Sequence, residues 1–127
     1  MIVQDFHTHT TFCDGKNTAE EMVQGALAKG LRVLGFSGHA PLPFERGWWV
    51  GEDAIEAYRA EIVRLKEKYR DEIRIVLGIE QDYFSHLPID PYEYAIGSVH
   101  MLCKDGQYYD VDLSPDALNQ VIDSVYG

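Results

Sequence analysis

The sequence has little of what marks a disulfide-stapled or nucleic-acid-binding protein. Only two cysteines occur in 127 residues, Cys13 and Cys103, and their wide separation without a CxxC pair argues against a disulfide framework. Lys and Arg number 11 against 21 for Asp and Glu, which gives a formal net charge of −10. No cluster of basic residues offsets that charge, so we expect no nucleic-acid partner.

Long apolar runs are also missing. No segment approaches the roughly 20 apolar residues of a membrane-spanning helix, and the first residues lack the basic and apolar segments of a signal peptide. We therefore expect a cytoplasmic protein with no membrane partner. With 46% hydrophobic residues the chain can bury the core of one domain, and we interpret residues 1–127 as a single domain.

Short apolar runs alternate with helical periodicities along the chain. The runs predict strands at Met1–Phe6, Leu31–Ser37, Ile73–Ile79 and Tyr94–Val99, with a candidate fifth at Tyr108–Leu113. Helices are predicted from the Thr18–Glu21 capping box to Gly30, over Glu52–Tyr69, and from Ser114 onwards. This alternation predicts the α/β class with a parallel sheet, in which functional groups gather beyond the carboxyl ends of the strands.

Residues that bind metals follow these strands. His7 and His9 come after the first predicted strand, His39 after the second, Glu80 after the third and His100 after the fourth. In extended backbone His7 and His9 would share a face and could reach one ion. Glu80 can bridge two ions through its two oxygens. Asp14, in the loop after His9, adds a hard oxygen ligand of the kind that Mn, Fe or Zn sites combine with imidazole.

Each of these signals has a second interpretation when it is taken alone. A His-x-His pair is more often structural, and His39 or His100 could cap a helix. Glu80 could pair with an arginine. The coincidence at four successive strands favours a metal centre. His86 does not follow a predicted strand, and we interpret it as a solvent or substrate contact.

The motifs at residues 5–15, 35–39, 78–80 and 97–100 resemble the PHP (polymerase and histidinol phosphatase) superfamily, most of all its histidinol-phosphatase branch. The resemblance implies a distorted seven-stranded β/α barrel that holds two or three divalent ions. It also implies hydrolysis of a small phosphate monoester. The leading substrate is histidinol phosphate, an intermediate of histidine biosynthesis.

The same resemblance implies a role for each ligand. His7 and His9 would bind the first ion, and Glu80 would bridge it to a second ion held by His100. Asp14 and His39 match the positions that serve a third ion. Glu80 and His100 would thereby act in catalysis, because the ions polarise the phosphoryl group and activate water. Arg46, in the loop after His39, is expected to contact the substrate phosphate.

The chain departs from this branch at its end. Members of the branch are longer and take a late histidine and an Asp-x-His pair from the second half of the barrel, whereas no histidine follows His100 here. We therefore expect the N-terminal half of such a barrel, whose open edge would favour self-association. The alternatives are a truncated fragment that binds metal with little or no activity, and a half-barrel module that needs a partner chain.

Overall fold

Four parallel strands form one curled, open sheet in the order β1-β2-β3-β4. In this computed structural model the structure describes residues 2–44 and 47–127. The strands are β1 (Gln4–Asp5), β2 (Val33–Phe36), β3 (Arg74–Asp82) and β4 (Tyr94–Ser98). Helix α1 (Ala19–Ala28) joins β1 to β2, and helix α2 (Ile55–Lys68) joins β2 to β3. The third connection, residues 83–93, contains no helix.

The capping box predicted for the first helix is present. The Glu21 N–H donates to the Thr18 hydroxyl at 3.2 Å, and the Thr18 N–H donates to the Glu21 carboxylate at 2.8 Å. Gly30, with φ +76°, adopts the left-handed conformation expected after the helix. Helices α1 and α2 thus confirm the two helices that the sequence predicts between the strands.

Helices α1 and α2 cover one face of the sheet and build the core there. The helices contribute Val23, Tyr58, Ile62 and Leu65, and the strands contribute Leu34, Phe36, Ile75, Leu77 and Ile79. Because side chains alternate along a strand, the other face of β3 carries Gly78, Glu80 and Asp82. The helix-free face of the sheet is therefore where the polar residues of β3 collect.

Tyr94 crosses that second face over two glycines. A Cβ atom at Gly78 would lie 2.2 Å from the Tyr94 ring, and one at Gly35 would lie 2.5 Å from its hydroxyl oxygen. The Tyr94 hydroxyl donates to the Phe6 carbonyl at 2.7 Å, and the two rings meet edge to face. One side chain of β4 thus contacts β3, β2 and the residue that follows β1.

The third strand runs further than the sequence predicts. We placed Glu80 beyond its end, but β3 extends to Asp82, because residues 74–77 pair with β2 and residues 78–82 pair with β4. Glu80 also forms a bridge with His39: its N–H donates to the Gly38 carbonyl, and its carbonyl accepts from the Ala40 N–H. Glu80 is therefore held by backbone hydrogen bonds within the sheet and not in a loop.

The candidate fifth strand forms in part, as one strand of a separate antiparallel hairpin and not within the parallel sheet. After His100 the chain makes an antiparallel hairpin of β5 (Met101–Lys104) and β6 (Gln107–Asp110), followed by helix α3 (Pro115–Val121) and a π-helical turn at Ile122–Tyr126. Asp105 and Gly106, both with positive φ, form the two-residue turn. An Asp-Gly turn with both residues in this conformation matches the twist of a hairpin, and it directs β6 back along β5.

Two edges of the sheet stay open in the part of the chain that the structure describes. There β1 pairs only with β2, and β4 pairs only with β3. Apolar side chains such as Ile2 and Leu113, each 76% exposed, also face solvent. Among the described residues, no helix has the length and hydrophobicity needed to cross a bilayer.

Candidate metal centre

Four histidines surround the carboxylate of Glu80 at the carboxyl end of the sheet. The Glu80 side chain is only 3% exposed, and its Oε2 lies 2.8 Å from His7 Nε2, 3.3 Å from His9 Nε2 and 3.4 Å from His39 Nδ1. Its Oε1 lies 3.2 Å from His100 Nε2. The structure therefore brings together the strand-end histidines and the glutamate that the sequence analysis singled out.

Asp14 joins the cluster from the loop after β1. Its Oδ1 lies 3.4 Å from His9 Nδ1, and its Oδ2 lies 3.4 Å from His39 Nε2. Within the described residues, three overlapping groups have ligand atoms within 4.8 Å of one another: His7-His9-Glu80, His9-Asp14-His39 and His39-Glu80-His100. This mixture of imidazole and carboxylate suits divalent Mn, Fe or Zn. The six residues can thus hold more than one ion.

Thr8 explains why its two histidine neighbours face the cluster. The Thr8 hydroxyl donates to the Gly35 carbonyl at 2.7 Å, and the Thr8 N–H donates to the Ser37 hydroxyl at 3.0 Å. Ser37 in turn donates its N–H to the Thr8 carbonyl at 2.9 Å. Because the Thr8 side chain is held against β2, His7 and His9 project to the opposite side of this extended segment.

A tight turn positions Asp14. The Thr10 carbonyl accepts hydrogen bonds from the N–H groups of Cys13 and Gly15, both at 3.0 Å. A Cβ at position 15 would lie 2.4 Å from the Thr10 nitrogen, so only glycine allows this close approach. The Asp14 carboxylate is thereby presented to His9 and His39.

The pKa values within the cluster favour an ionised carboxylate at its centre. Burial raises the pKa of Glu80, but hydrogen bonds from His9 and His7 outweigh burial and bring that pKa to about 2. Hydrogen bonds to Cys13 and then Glu80 raise the pKa of His9. Burial lowers the pKa of His39. Glu80 therefore remains ionised at neutral pH, as a metal ligand must be.

The sequence analysis did not identify Asp82, which orients His100. Asp82 is 4% exposed, and its Oδ2 lies 3.0 Å from His100 Nδ1 and accepts the His100 N–H at 2.9 Å. This contact leaves His100 Nε2 turned towards Glu80, the arrangement by which a carboxylate commonly orients a metal-binding histidine. The spacing of two between Glu80 and Asp82 is the signal that could have revealed it.

Trp48 forms a wall of the site. Its ring packs edge to face on His39, with centroids 4.7 Å apart, and on His100, with centroids 5.0 Å apart. The loop after His39 thus contacts the cluster through this indole, as far as its described residues go. Such a contact shields two imidazoles from water on one side.

Two other predicted site residues are not part of the cluster. His86 lines a separate groove with Pro41, Leu42 and Pro43. Its suggested contact with substrate stays a prediction. Arg46 lies outside the residues that the structure describes, so its predicted contact with phosphate also stays a prediction.

Comparison with known proteins agrees with this architecture. The chain is 32% identical to the histidinol-phosphatase of Bacillus subtilis over 96% of this chain and 53% of that protein. It is 31% identical to the probable histidinol-phosphatase of Deinococcus radiodurans over 77% of this chain and 42% of that protein. The chain therefore spans about half the length of the curated relatives it matches.

Solved structures share the fold. A crystal structure from Listeria monocytogenes, of a candidate histidinol phosphatase, matches 91% of this chain and 52% of its own with a TM-score of 0.76 at 23% identity. The histidinol phosphate phosphatase of Lactococcus lactis, complexed with Zn, L-histidinol and phosphate, matches 78% of this chain and 40% of its own with a TM-score of 0.64. The open sheet thus matches part of a β/α barrel of their type.

The family model described as the PHP domain matches residues 5–126. This match covers the second residue of β1, all later strands, both connecting helices and every residue of the cluster. The expected family is therefore confirmed, and the chain belongs to the PHP domain family.

Proposed function

We propose that this chain is a metal-dependent phosphate-monoester hydrolase of the PHP type, with histidinol phosphate as its leading substrate. The observation that carries the proposal is the buried, ionised Glu80 with nitrogens of four histidines within 3.4 Å of its oxygens. Membership of the PHP family and similarity to histidinol phosphatases supply the reaction class.

The proposed ligands fall into three sets, and Glu80, His9 and His39 each belong to two of them. His7 and His9 would hold the first ion, Glu80 would be shared between it and an ion at His100, and Asp14 with His39 would serve a third. Ions of Mn, Fe or Zn held there would polarise a phosphate ester and activate water for attack on phosphorus. The zinc in the Lactococcus lactis structure supports this choice of divalent metal.

The protein's own residues prepare the site for this chemistry. Asp82 holds the imidazole of His100 with Nε2 towards Glu80, so that ring does not need to reorient when it binds. Trp48 excludes water from one side of His39 and His100. Arg46 and His86 are the proposed contacts for the substrate, with Arg46 on its phosphate.

Phosphate release tests the function. The purified chain, loaded with Mn, Fe or Zn, is given histidinol phosphate, and inorganic phosphate is measured for the wild type and for His9→Ala. Lys29→Ala, an exposed substitution at the end of α1, is the control. We expect release by the wild type and the control, and its loss in His9→Ala. Equal release by all three chains would contradict the proposal.

The length of the chain supports a second candidate. Because the chain spans about half of its relatives, it could bind metal without turnover, or need a partner chain for activity. Metal bound without phosphate release would favour the first of these, and release restored by a second chain would favour the other. We also propose that the chain self-associates, since both outer strands β1 and β4 have an unpaired edge among the described residues.

A further inference from the structure

The β5–β6 hairpin returns the chain to the candidate metal centre. The residue before β5 is His100, and Met101 pairs with Asp110 across the hairpin. The Val111 N–H then donates to the His100 carbonyl at 3.0 Å, which extends the pairing by one residue. Residues 110–112 are therefore held beside His100 by backbone hydrogen bonds.

Asp112 faces the nitrogen of His100 that is available for a ligand. His100 Nδ1 is occupied by Asp82, whereas Nε2 lies 3.2 Å from Glu80 Oε1. The Asp112 Oδ2 lies 3.9 Å from the same Nε2. This is too long for a hydrogen bond, but two ligands each about 2.1 Å from one ion can lie about 4 Å apart. Asp112 and His100 could thus bind the same ion.

The surroundings of Asp112 also favour a cation. An open cavity of about 370 Å³ is lined by carboxylates and ligand-type histidines together with one indole: Asp14, His39, Trp48, His100, Asp110 and Asp112. Converging carboxylates repel one another unless a positive charge lies between them, and the net charge of −10 adds to that repulsion. The Asp112 side chain is 59% exposed and can rotate towards the cavity.

We propose that Asp112 supplies an additional oxygen ligand to the ion that Glu80 and His100 would hold. The inference rests on the proposed metal centre and adds to it a residue from outside the four motif segments. The hairpin is then part of the site, because it delivers a carboxylate from a segment that follows the last motif histidine. Asp110 lines the same cavity, but Asp112 is the carboxylate that faces His100 Nε2.

A cobalt titration tests this ligand. Co²⁺ is added to the metal-free wild type, Asp112→Asn and Asp71→Asn, and the bound equivalents and the visible Co²⁺ absorption bands are recorded. Asp71 is a matched control because its carboxylate is 88% exposed and belongs to none of the candidate ligand groups. We expect Asp112→Asn to bind one of its cobalt ions at least about tenfold less tightly than the wild type does, with altered absorption bands. Asp71→Asn should match the wild type in both measurements.

The outcomes separate the two proposals. If the wild type binds cobalt and Asp112→Asn binds it identically, the inference about Asp112 is overturned while the metal centre stands. If the wild type binds no cobalt, the metal centre itself is overturned and the ligand with it. Circular dichroism of each metal-free variant checks the fold, and Asp112→Glu, which keeps the carboxylate, should restore part of the lost affinity.

Discussion

At the scale of single residues, Glu80 combines burial with an ionised carboxylate. Its side chain is 3% exposed, and the nearby imidazoles hold its pKa at about 2 in spite of burial. Replacing the carboxylate by an amide keeps the shape and removes the charge of a residue that belongs to two of the three candidate ligand groups. The site should therefore depend on the charge of this residue.

We predict that Glu80→Gln weakens binding of Zn²⁺ by at least about tenfold, since a neutral amide is a poor ligand for these metals. Competition with a chromophoric chelator measures the affinity. Glu72→Gln, at an exposed position two residues before β3, should bind as the wild type does. Equal affinity in Glu80→Gln and the wild type would place the ion elsewhere.

Gly78 is a second residue whose identity follows from its surroundings. A methyl group there would meet the Tyr94 ring at 2.2 Å, whereas one at Gly97 in β4 would meet nothing within 4 Å. We predict that Gly78→Ala lowers the free energy of unfolding by about 1–3 kcal/mol and that Gly97→Ala leaves it nearly unchanged. Urea unfolding followed by circular dichroism measures both. Similar losses in the two variants would argue against tight packing of Tyr94 on Gly78.

The residues of the site were accessible to sequence reasoning to different degrees. The four histidines, Asp14 and Glu80 stand in local motifs, so their convergence at one edge of a parallel sheet could be predicted. Asp82 was missed although its spacing of two from Glu80 is visible, because the apolar pattern of β3 ends at Ile79 and gives no sign of three further strand residues. Those residues are held in the strand by pairing with β4, which is a tertiary effect.

At the scale of secondary-structure elements, Glu20 connects the two helices that cover the sheet. Its carboxylate, at the start of α1, accepts hydrogen bonds from Arg64 at 2.7 Å and Tyr69 at 2.9 Å, and it also pairs with Lys68. Hydrogen bonds from Lys68, then Arg64 and Tyr69, lower the pKa of Glu20 to about 2. All three partners lie on α2 or directly after it.

This lowered pKa gives a pH-dependent prediction. A carboxylate whose pKa is lower in the folded state stabilises the fold above its unfolded pKa, here about 4.5, and loses that contribution as the pH falls towards 2. Glu20→Gln should therefore be slightly less stable than the wild type at pH 7, with a difference that shrinks below about pH 4.5. The effect is small because the group is exposed to solvent.

Urea unfolding at pH 7 and at pH 3 measures that difference. Glu67→Gln is the control, because Glu67 pairs with Arg70 on its own side of the helix and does not bridge to α1. The control should change little at either pH. A difference for Glu20→Gln that is the same at both values would contradict the assignment.

The elements after His100 show where local patterns mislead. The run Tyr108–Leu113 was a candidate for a fifth strand in a sheet that we predicted to be parallel. The Asp105-Gly106 pair instead makes a hairpin turn, and a two-residue connection permits only antiparallel pairing. The Asp-Gly pair is a known hairpin signal, but it is only two residues long. The strand-helix alternation of the preceding chain favoured a further strand of the parallel sheet instead.

At the scale of the whole molecule, the sheet ends in two strands with an unpaired edge in the described part of the chain. The resemblance to a longer barrel made an open sheet predictable. The sequence does not show which chain pairs with its edges, because that depends on the surface of the partner. Ala95 in β4 is exposed, and a charge there would oppose the approach of another strand. Ala57, exposed on α2, provides a matched position away from the edge.

We predict that the wild type sediments faster as its concentration is raised, that Ala95→Lys reduces this effect and that Ala57→Lys does not. The physical reason is that a lysine on an edge strand must be desolvated if a second strand pairs beside it. Sedimentation velocity over a range of concentrations measures the change. Wild-type protein that stays monomeric throughout, or equal association of the two lysine variants, would contradict self-association through β4.

A half-barrel that assembles a metal centre by itself must retain metal when it is purified, so we would first measure the metal content of the chain. The protein is purified without a chelating resin, and Mn, Fe and Zn are counted by plasma mass spectrometry before and after metal is added back. We expect about two or more equivalents per chain in the wild type and a loss in His9→Ala. Less than about a tenth of an equivalent, even after addition of metal, would contradict this expectation.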